Sequence, residues 1–233
     1  MRFNKPISTI RAISFDLDDT LYDNRPIIIA AVQAMTDHLN AIPKWRAKGE
    51  TFWLQCRDQA LKQDRTLAEN ATRWRQAALH LGFTILGYEH DAATDATQRA
   101  YQAFADVRSN IVVSDSVIDL LTQLRRKFHI IAITNGNVEV EKFNLRNSFD
   151  LVLRAGIDGR AKPHPELYHL ACQHFNITPE QLLHVGDSLD TDVQGAHRAG
   201  ASSVWLRNNF TQYRYQGLAN IEIDNIQMLK NMM

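Results

Sequence analysis

The sequence predicts an α/β protein: a parallel sheet with helices on both faces, built from both ends of the chain, with an all-helical domain inserted after the first strand. Three observations carry this prediction. A short apolar run, Ala12-Ile13-Ser14-Phe15, stands near the start of the 233-residue chain. A long stretch of helical periodicity with no convincing strand follows it. From Asn110 onward, short apolar runs alternate with helical segments, the pattern of strands buried on both faces and joined by crossover helices. The α/β core is therefore expected at residues 1–22 and 110–233, and the helical domain at 23–109.

Residues 11–15 read as a buried strand. From Pro26 the period changes: Ile28, Val32, Met35 and Leu39 recur at helical spacing, with Pro26 near a first-turn position. Helical patterns continue over roughly 50–63, 67–81 and 91–107. They are broken at Ile42-Pro43, Lys48-Gly49, Gly82 and Gly87, which suggests several antiparallel helices. A helix at about 115–127 then precedes the run His129-Ile130-Ile131-Ala132-Ile133-Thr134, and one near 138–147 precedes Leu151-Val152-Leu153. Helices at about 165–175 and 191–199 precede Leu182-Leu183-His184-Val185 and Ser203-Val204-Trp205-Leu206. Residues from Ile221 to Met233 read as a short strand and a terminal helix.

Composition narrows the function. Hydrophobic residues make up 45% and charged residues 22%, as in an ordinary soluble globular protein, and formal net charge is zero. No global field favours nucleic acid or an anionic membrane, so neither is expected as a partner, and any phosphate chemistry must be local. Cys56 and Cys172 form no Cys-x-x-Cys pair and read as small buried hydrophobes in a reducing compartment. With no apolar leader before Arg11 and no run approaching a membrane span, the expected location is cytoplasmic.

The chemistry concentrates where strands end, which is where open parallel sheets bind ligands. After the first strand comes Asp16-Leu17-Asp18-Asp19-Thr20. Residues i and i+2 of an extended segment share a side, so Asp16 and Asp18 would repel one another and demand a cation. Asp16 is the candidate nucleophile, forming an aspartyl-phosphate, and Asp18 the candidate general acid and base. An Asp-x-Asp after a strand is also common turn chemistry, and only the other elements favour a catalytic reading. Thr134 ends a strand and could bond a phosphate oxygen, or simply be a β-branched strand residue. Lys162, in Ala161-Lys162-Pro163-His164-Pro165, could neutralise phosphate or be a solvated lysine. Asp187, after Gly186, is the third candidate metal anchor, with Asp192 as a supporting acid; Gly-Asp-Ser is also ordinary N-cap chemistry. An all-oxygen donor set suits Mg²⁺. The histidines show no metal-ligand spacing and read mostly as surface side chains. Trp45, Trp53 and Trp74 could stack on a flavin or pyrimidine ring, although packing the helical domain's own core is the simpler reading. Arg73 and Arg75 could likewise meet a ligand or form a solvated helix face.

Taken in order, Asp16-Leu17-Asp18-Asp19-Thr20, Ile133-Thr134-Asn135-Gly136-Asn137, Lys162-Pro163 and Gly186-Asp187-Ser188-Leu189-Asp190-Thr191-Asp192 resemble the four motifs of the haloacid dehalogenase (HAD) superfamily of phosphohydrolases. The resemblance implies a Rossmann-like, HAD-like core with a C1-type helical cap. It implies Asp16 as nucleophile, Asp18 as acid and base, and Thr134, Asn135 and Lys162 on the substrate phosphate. Mg²⁺ would be held by Asp16, the main-chain carbonyl of Asp18, and Asp187, with Thr20 and Asp192 behind. An acid at position 18 favours phosphate esters over organic halides, whose leaving group needs no proton. A narrower resemblance, through Phe15 to Arg25, Thr72-Arg73-Trp74-Arg75, Val152-Leu153-Arg154-Ala155-Gly156 and His184-Val185-Gly186-Asp187, is to YigB-type flavin mononucleotide (FMN) phosphatases of riboflavin metabolism. That implies a small phosphorylated metabolite as substrate, FMN or 5-amino-6-(5-phosphoribitylamino)uracil. A phosphomutase of the same superfamily, or a non-catalytic metabolite-binding protein on this fold, is the alternative.

Overall fold

The computed structural model describes residues 1–136, 138, 140–207 and 217–232. The chain divides into two compact units, Met1–Asn24 with Val112–Met233, and Arg25–Ile111. Each bound of the helical unit thus lies two residues beyond the position expected from sequence.

The first unit is built on a seven-stranded sheet. Its strands are β1 (Arg2–Phe3), β2 (Ala12–Phe15), β3 (His129–Thr134), β4 (Leu151–Arg154), β5 (Leu182–Gly186), β6 (Ser202–Leu206) and β7 (Ile221–Ile223). They lie in the order β1-β7-β6-β5-β2-β3-β4, and every pairing is parallel except β1 with β7. β2 is central. Phe15 registers with Ala132 on one side and Val185 on the other, so Asp16, Thr134 and Gly186 emerge at neighbouring strand ends. On one face Ala12, Ile131, Ile133 and Leu182 pack against Leu167, Tyr168, Ala171 and Ala196 of α6 (Glu166–Phe175) and α7 (Gln194–Arg198). The alternate residues Ile13, Phe15, Ile130, Ala132, Leu183 and Val185 are fully buried too. That is why these strands read as unbroken apolar runs rather than alternating ones.

Two expectations fail here. Among the described residues of 138–147 no α-helix forms; Val140–Lys142 turns as a 3₁₀ segment. The Asn144 side chain bonds both polar groups of Val113 (Nδ2 to O, 2.7 Å; N to Oδ1, 2.9 Å), and Asn147 is left-handed at φ 68°. Polar side chains that bind distant backbone compete with helix formation. The segment expected as a helix over 191–199 opens instead as a π turn, Leu189–Val193, before α7. β1 was not expected at all. Two residues paired only at a sheet edge leave no periodic signal.

The second unit packs α1 (Arg25–Asn40), α2 (Pro43–Arg46), α3 (Phe52–Gln63), α4 (Ala71–Ile85) and α5 (His90–Arg108) around one apolar cluster. Trp45 lies at its centre, edge-on to Phe52 with ring centroids 5.0 Å apart. Gly82 lets α4 approach that indole: a Cβ there would meet Trp45 at 2.6 Å. Cys56 is buried in the same cluster, and Cys172 lies in the core of the first unit. No described helix is long and apolar enough to cross a membrane.

Candidate active site

The site grows from the ends of β2, β3 and β5. The chain leaves β2 through a tight turn in which Leu21 N–H donates to Leu17 O (2.9 Å) and Asp19 adopts φ 59°. Asp and Asn tolerate that left-handed position, and here Asp19 Oδ1 also accepts from Asn24 N–H at 2.9 Å. The turn leaves Asp16 buried at the strand end. It presents Asp18 to the Tyr22 hydroxyl, which donates to Asp18 Oδ1 at 2.5 Å. Gly136 closes against the same carboxyl, for a Cβ there would lie 2.9 Å from Asp18 Oδ2 and 3.3 Å from Thr134 Oγ1. Thr134 is fully buried and its hydroxyl accepts from Gly136 N–H (2.9 Å).

Lys162 ties the strand ends together. Its Nζ donates to Asp16 Oδ1 (2.7 Å), Asp192 Oδ1 (2.7 Å) and Ile133 O (2.8 Å), filling the three donor positions of an ammonium. The Asn135 side chain holds the lysine's main chain from both sides: Nδ2 donates to Lys162 O (2.9 Å) and Oδ1 accepts from Lys162 N–H (2.8 Å). Asn135 was expected to bind phosphate. Its amide instead positions Lys162, which leaves its main chain as the part available to a ligand. Asn137 of the same motif lies outside the described residues.

Asp192 has both oxygens engaged. Oδ1 takes Lys162 and His184 Nε2 (3.2 Å), and Oδ2 accepts from Ser188 N–H (3.0 Å). Gly186 makes room for it, since a Cβ there would fall 2.3 Å from Asp192 Cγ. Behind it, His184 Nδ1 pairs with Ser14 Oγ (2.8 Å), and the ring meets Tyr168 edge-on. His184 is fully buried, the exception to the expectation that most histidines lie at the surface. It sits within an apolar strand run, and only the tertiary pairing with Ser14 and Asp192 explains it. Tyr22 and His184 are the contributors that the motifs alone did not single out.

Electrostatics follow the crowding. Burial raises the Asp16 carboxyl; Lys162 opposes this, while Asp192 and Asp18 reinforce it, and the net shift is upward. Asp187 is pushed up to about 7 by burial, Asp192 and Asp19. Burial would also raise Asp192, but the Lys162 ammonium and the His184 bond outweigh it and hold Asp192 well below the usual range. For Lys162, burial favours the neutral amine, yet Asp16 and Asp192 win and the ammonium is stabilised. Burial lowers His184, keeping it neutral, with Nε2–H facing Asp192 and Nδ1 accepting from Ser14. Carboxylate oxygens of Asp16, Asp187 and Asp192 all lie within 4.8 Å of one another. Thr20 Oγ1 reaches Asp187 Oδ1 at 3.5 Å. One ammonium among these acids leaves negative charge that a cation would balance.

The haloacid dehalogenase-like hydrolase profile matches residues 10–200. Over 208 residues, 89% of this chain and 87% of the relative, the chain is 39% identical to the 5-amino-6-(5-phospho-D-ribitylamino)uracil phosphatase YigB of Escherichia coli K12. It is 32% identical to phosphoserine phosphatase of Thermus thermophilus, with 84% of this chain and 88% of that one covered. A crystal structure of 2-haloacid dehalogenase from Pseudomonas syringae pv. Tomato DC3000 superposes with a TM-score of 0.88 at 28% identity, covering 96% of this chain and 97% of the other.

Proposed function

The chain belongs to the haloacid dehalogenase-like hydrolase family, and from that premise we propose that it is a Mg²⁺-dependent phosphomonoesterase working through an aspartyl-phosphate. The observation that carries the reading is Lys162 Nζ held between Asp16 and Asp192 at the strand ends, 2.7 Å from each, with the Asp18 carboxyl on the adjoining turn.

The residues fit a divalent cation. The donor set is all oxygen, and burial with mutual repulsion raises Asp16 and Asp187, a cost that bound charge removes. Asp16, Asp187 and the Asp18 main-chain carbonyl would hold it. Asp192, with both oxygens engaged by Lys162, His184 and Ser188, supports from behind. Mg²⁺, when bound, would neutralise and orient the phosphate.

With Asp16 Oδ1 fixed on Lys162, Oδ2 would be the oxygen that attacks phosphorus. As the P–O ester bond breaks, Asp18 gives its proton to the leaving alkoxide. It then takes a proton from water, whose oxygen attacks the acyl phosphate and releases inorganic phosphate and free Asp16. Tyr22 fixes the Asp18 carboxyl for both transfers. Lys162, placed by Asn135, balances the phosphoryl charge, and Thr134, beside Gly136, bonds a phosphoryl oxygen.

The substrate proposed is the phosphoribitylamino-uracil named for the Escherichia coli relative, or FMN, which shares its ribityl phosphate. The test compares kcat/KM with Mg²⁺ for both esters, sugar phosphates, nucleotides and phosphoserine, with a 2-haloacid as a further arm. Phosphate release highest on the ribityl phosphates is expected. An isomerised sugar phosphate, halide release, or no turnover on any ester would each replace this reading.

A further inference from the structure

A circuit of polar contacts leaves the central strand, passes through the site and returns to the same strand. Ser14 and His184 lie directly opposite one another where β2 pairs with β5. Both are fully buried, and each interrupts an apolar run. Ser14 Oγ meets His184 Nδ1 at 2.8 Å, and His184 Nε2 meets Asp192 Oδ1 at 3.2 Å. That same oxygen accepts from Lys162 Nζ at 2.7 Å, and Nζ also donates to Asp16 Oδ1 at 2.7 Å. Asp16 stands two positions beyond Ser14 in the chain. Residues i and i+2 of an extended segment share a side, which lets the circuit close. The Tyr168 ring of α6 packs edge-on against the imidazole, with ring centroids 4.9 Å apart.

The circuit sets its own protons. A carboxylate offers only acceptors, so the imidazole hydrogen facing Asp192 sits on Nε2. Burial keeps the ring neutral, so Nδ1 carries a lone pair and Ser14 is its donor. An apolar pair at these two positions would serve the sheet as well, since exchanging two mutually bonded polar groups for apolar ones of like shape costs little. The particular contribution of Ser14 and His184 is therefore the N–H delivered to Asp192. Together with Lys162 on Oδ1 and Ser188 N–H on Oδ2, it fixes that carboxylate with three donors. Lys162 needs such an anchor, because an ammonium is a point charge on a flexible stem. Once Asp16 is an acyl phosphate its own carboxylate charge is gone, and Asp192 is the carboxylate left to hold the ammonium.

We propose that Ser14 and His184 are positioning residues: through a fixed Nε2–H tautomer they hold Asp192, and through Asp192 they keep the Lys162 ammonium in place while Asp16 is converted to the acyl phosphate. This role rests on the phosphoryl transfer proposed above.

The experiment pairs kinetics with NMR on the full chain. His184→Gln keeps a side-chain N–H near the place of Nε2, whereas His184→Met has similar bulk and no donor. With Mg²⁺, the Met variant should lose about 10- to 100-fold in kcat with a much smaller change in KM, since a displaced charge costs rate more than binding. The loss should be alike on FMN and p-nitrophenyl phosphate, because Lys162 acts on the phosphoryl group and not on the leaving group. The Gln variant should recover most of that loss, a rescue that core filling alone would not give. Ser14→Ala, which removes one oxygen, should lower kcat by about three- to tenfold. Long-range proton–nitrogen correlation on metal-free wild type, assigned with the Gln variant, should show His184 protonated at Nε2 alone. Equal kcat in the Met and Gln variants, wild-type kcat in folded His184→Met or Ser14→Ala, an Nδ1–H tautomer or a doubly protonated ring would each overturn the proposal. If the His184 variants do not fold, Ser14→Ala decides, and the tautomer is then assigned by elimination among the other histidines. Wild-type protein that hydrolyses no ester would remove the reaction and this role together; wild-type turnover with any of the overturning results removes this role alone.

Discussion

At the scale of single residues, each acid at the strand ends has a different neighbour and therefore a different task. Asp16 faces Lys162, Asp18 faces Tyr22, and Asp192 faces Lys162 and His184. Asp16→Asn should abolish turnover, because a neutral amide cannot form the acyl phosphate. Asp18→Asn should slow FMN hydrolysis by about 100- to 10,000-fold. It should slow p-nitrophenyl phosphate much less, since nitrophenolate leaves without a proton. Equal losses on both esters, measured by steady-state kinetics, would rule out Asp18 as the acid. Gly186 is a sharper test of the scaffold. A methyl placed 2.3 Å from Asp192 Cγ must displace that carboxylate, so Gly186→Ala should lower kcat at least tenfold through misplaced Lys162. Wild-type kcat in a folded Gly186→Ala protein would show that Asp192 does not need its place.

Elements are held by contacts that sequence period does not reveal. α4 and α2 meet where Gly82 lies under Trp45, with only 2.6 Å for a Cβ. Helix propensity favours alanine over glycine by about 1 kcal/mol, yet overpacking a core costs about 1–3 kcal/mol. Packing therefore decides, and Gly82→Ala should lower the thermal midpoint of the helical unit. A rise in the midpoint, followed by far-UV circular dichroism, would mean that Trp45 moves aside freely. The segment over 138–147 makes the complementary point. Its period reads as helix, but Asn144 is held by Val113, and Arg125 Nη1 reaches Asn147 O at 2.7 Å. Long-range polar bonds there overrule local preference.

Across the whole molecule, the buried acids link stability to pH and metal. Asp16 and Asp187 have folded pKa values raised above their unfolded ones, Asp187 to about 7. These two carboxyls therefore hold more protons in the folded state than in the unfolded state between about pH 4 and pH 7. Their contribution is fully present below the unfolded pKa and is lost as pH rises through the folded one. Metal-free protein should accordingly lose thermal stability as pH rises through that window. Mg²⁺ binds the ionised carboxylates, so the increase in melting temperature on adding it to EDTA-stripped protein should be larger at pH 8 than at pH 5. Melts at both pH values check this; an increase independent of pH would mean that these carboxylates do not hold the ion.

The sequence by itself determined the α/β core, the helical insertion, and the strand-end positions of Asp16, Thr134 and Gly186. Those follow from period and from turn chemistry, which are local properties. Which residue touches which was decided by tertiary structure. Lys162 lies 146 positions from Asp16, and Ser14 lies 170 from His184, yet each pair closes within 2.8 Å. Asn135 reads as a phosphate ligand in its motif, and its side-chain amide is seen to hold the lysine's backbone; of Arg73 and Arg75, read as a solvated helix face or ligand contacts, Arg73 is exposed while Arg75 is half-buried over the Phe104 ring. The physical reason is that a side chain's partner depends on strand order and helix packing. Those distances are set only when the apolar runs have closed around a common core.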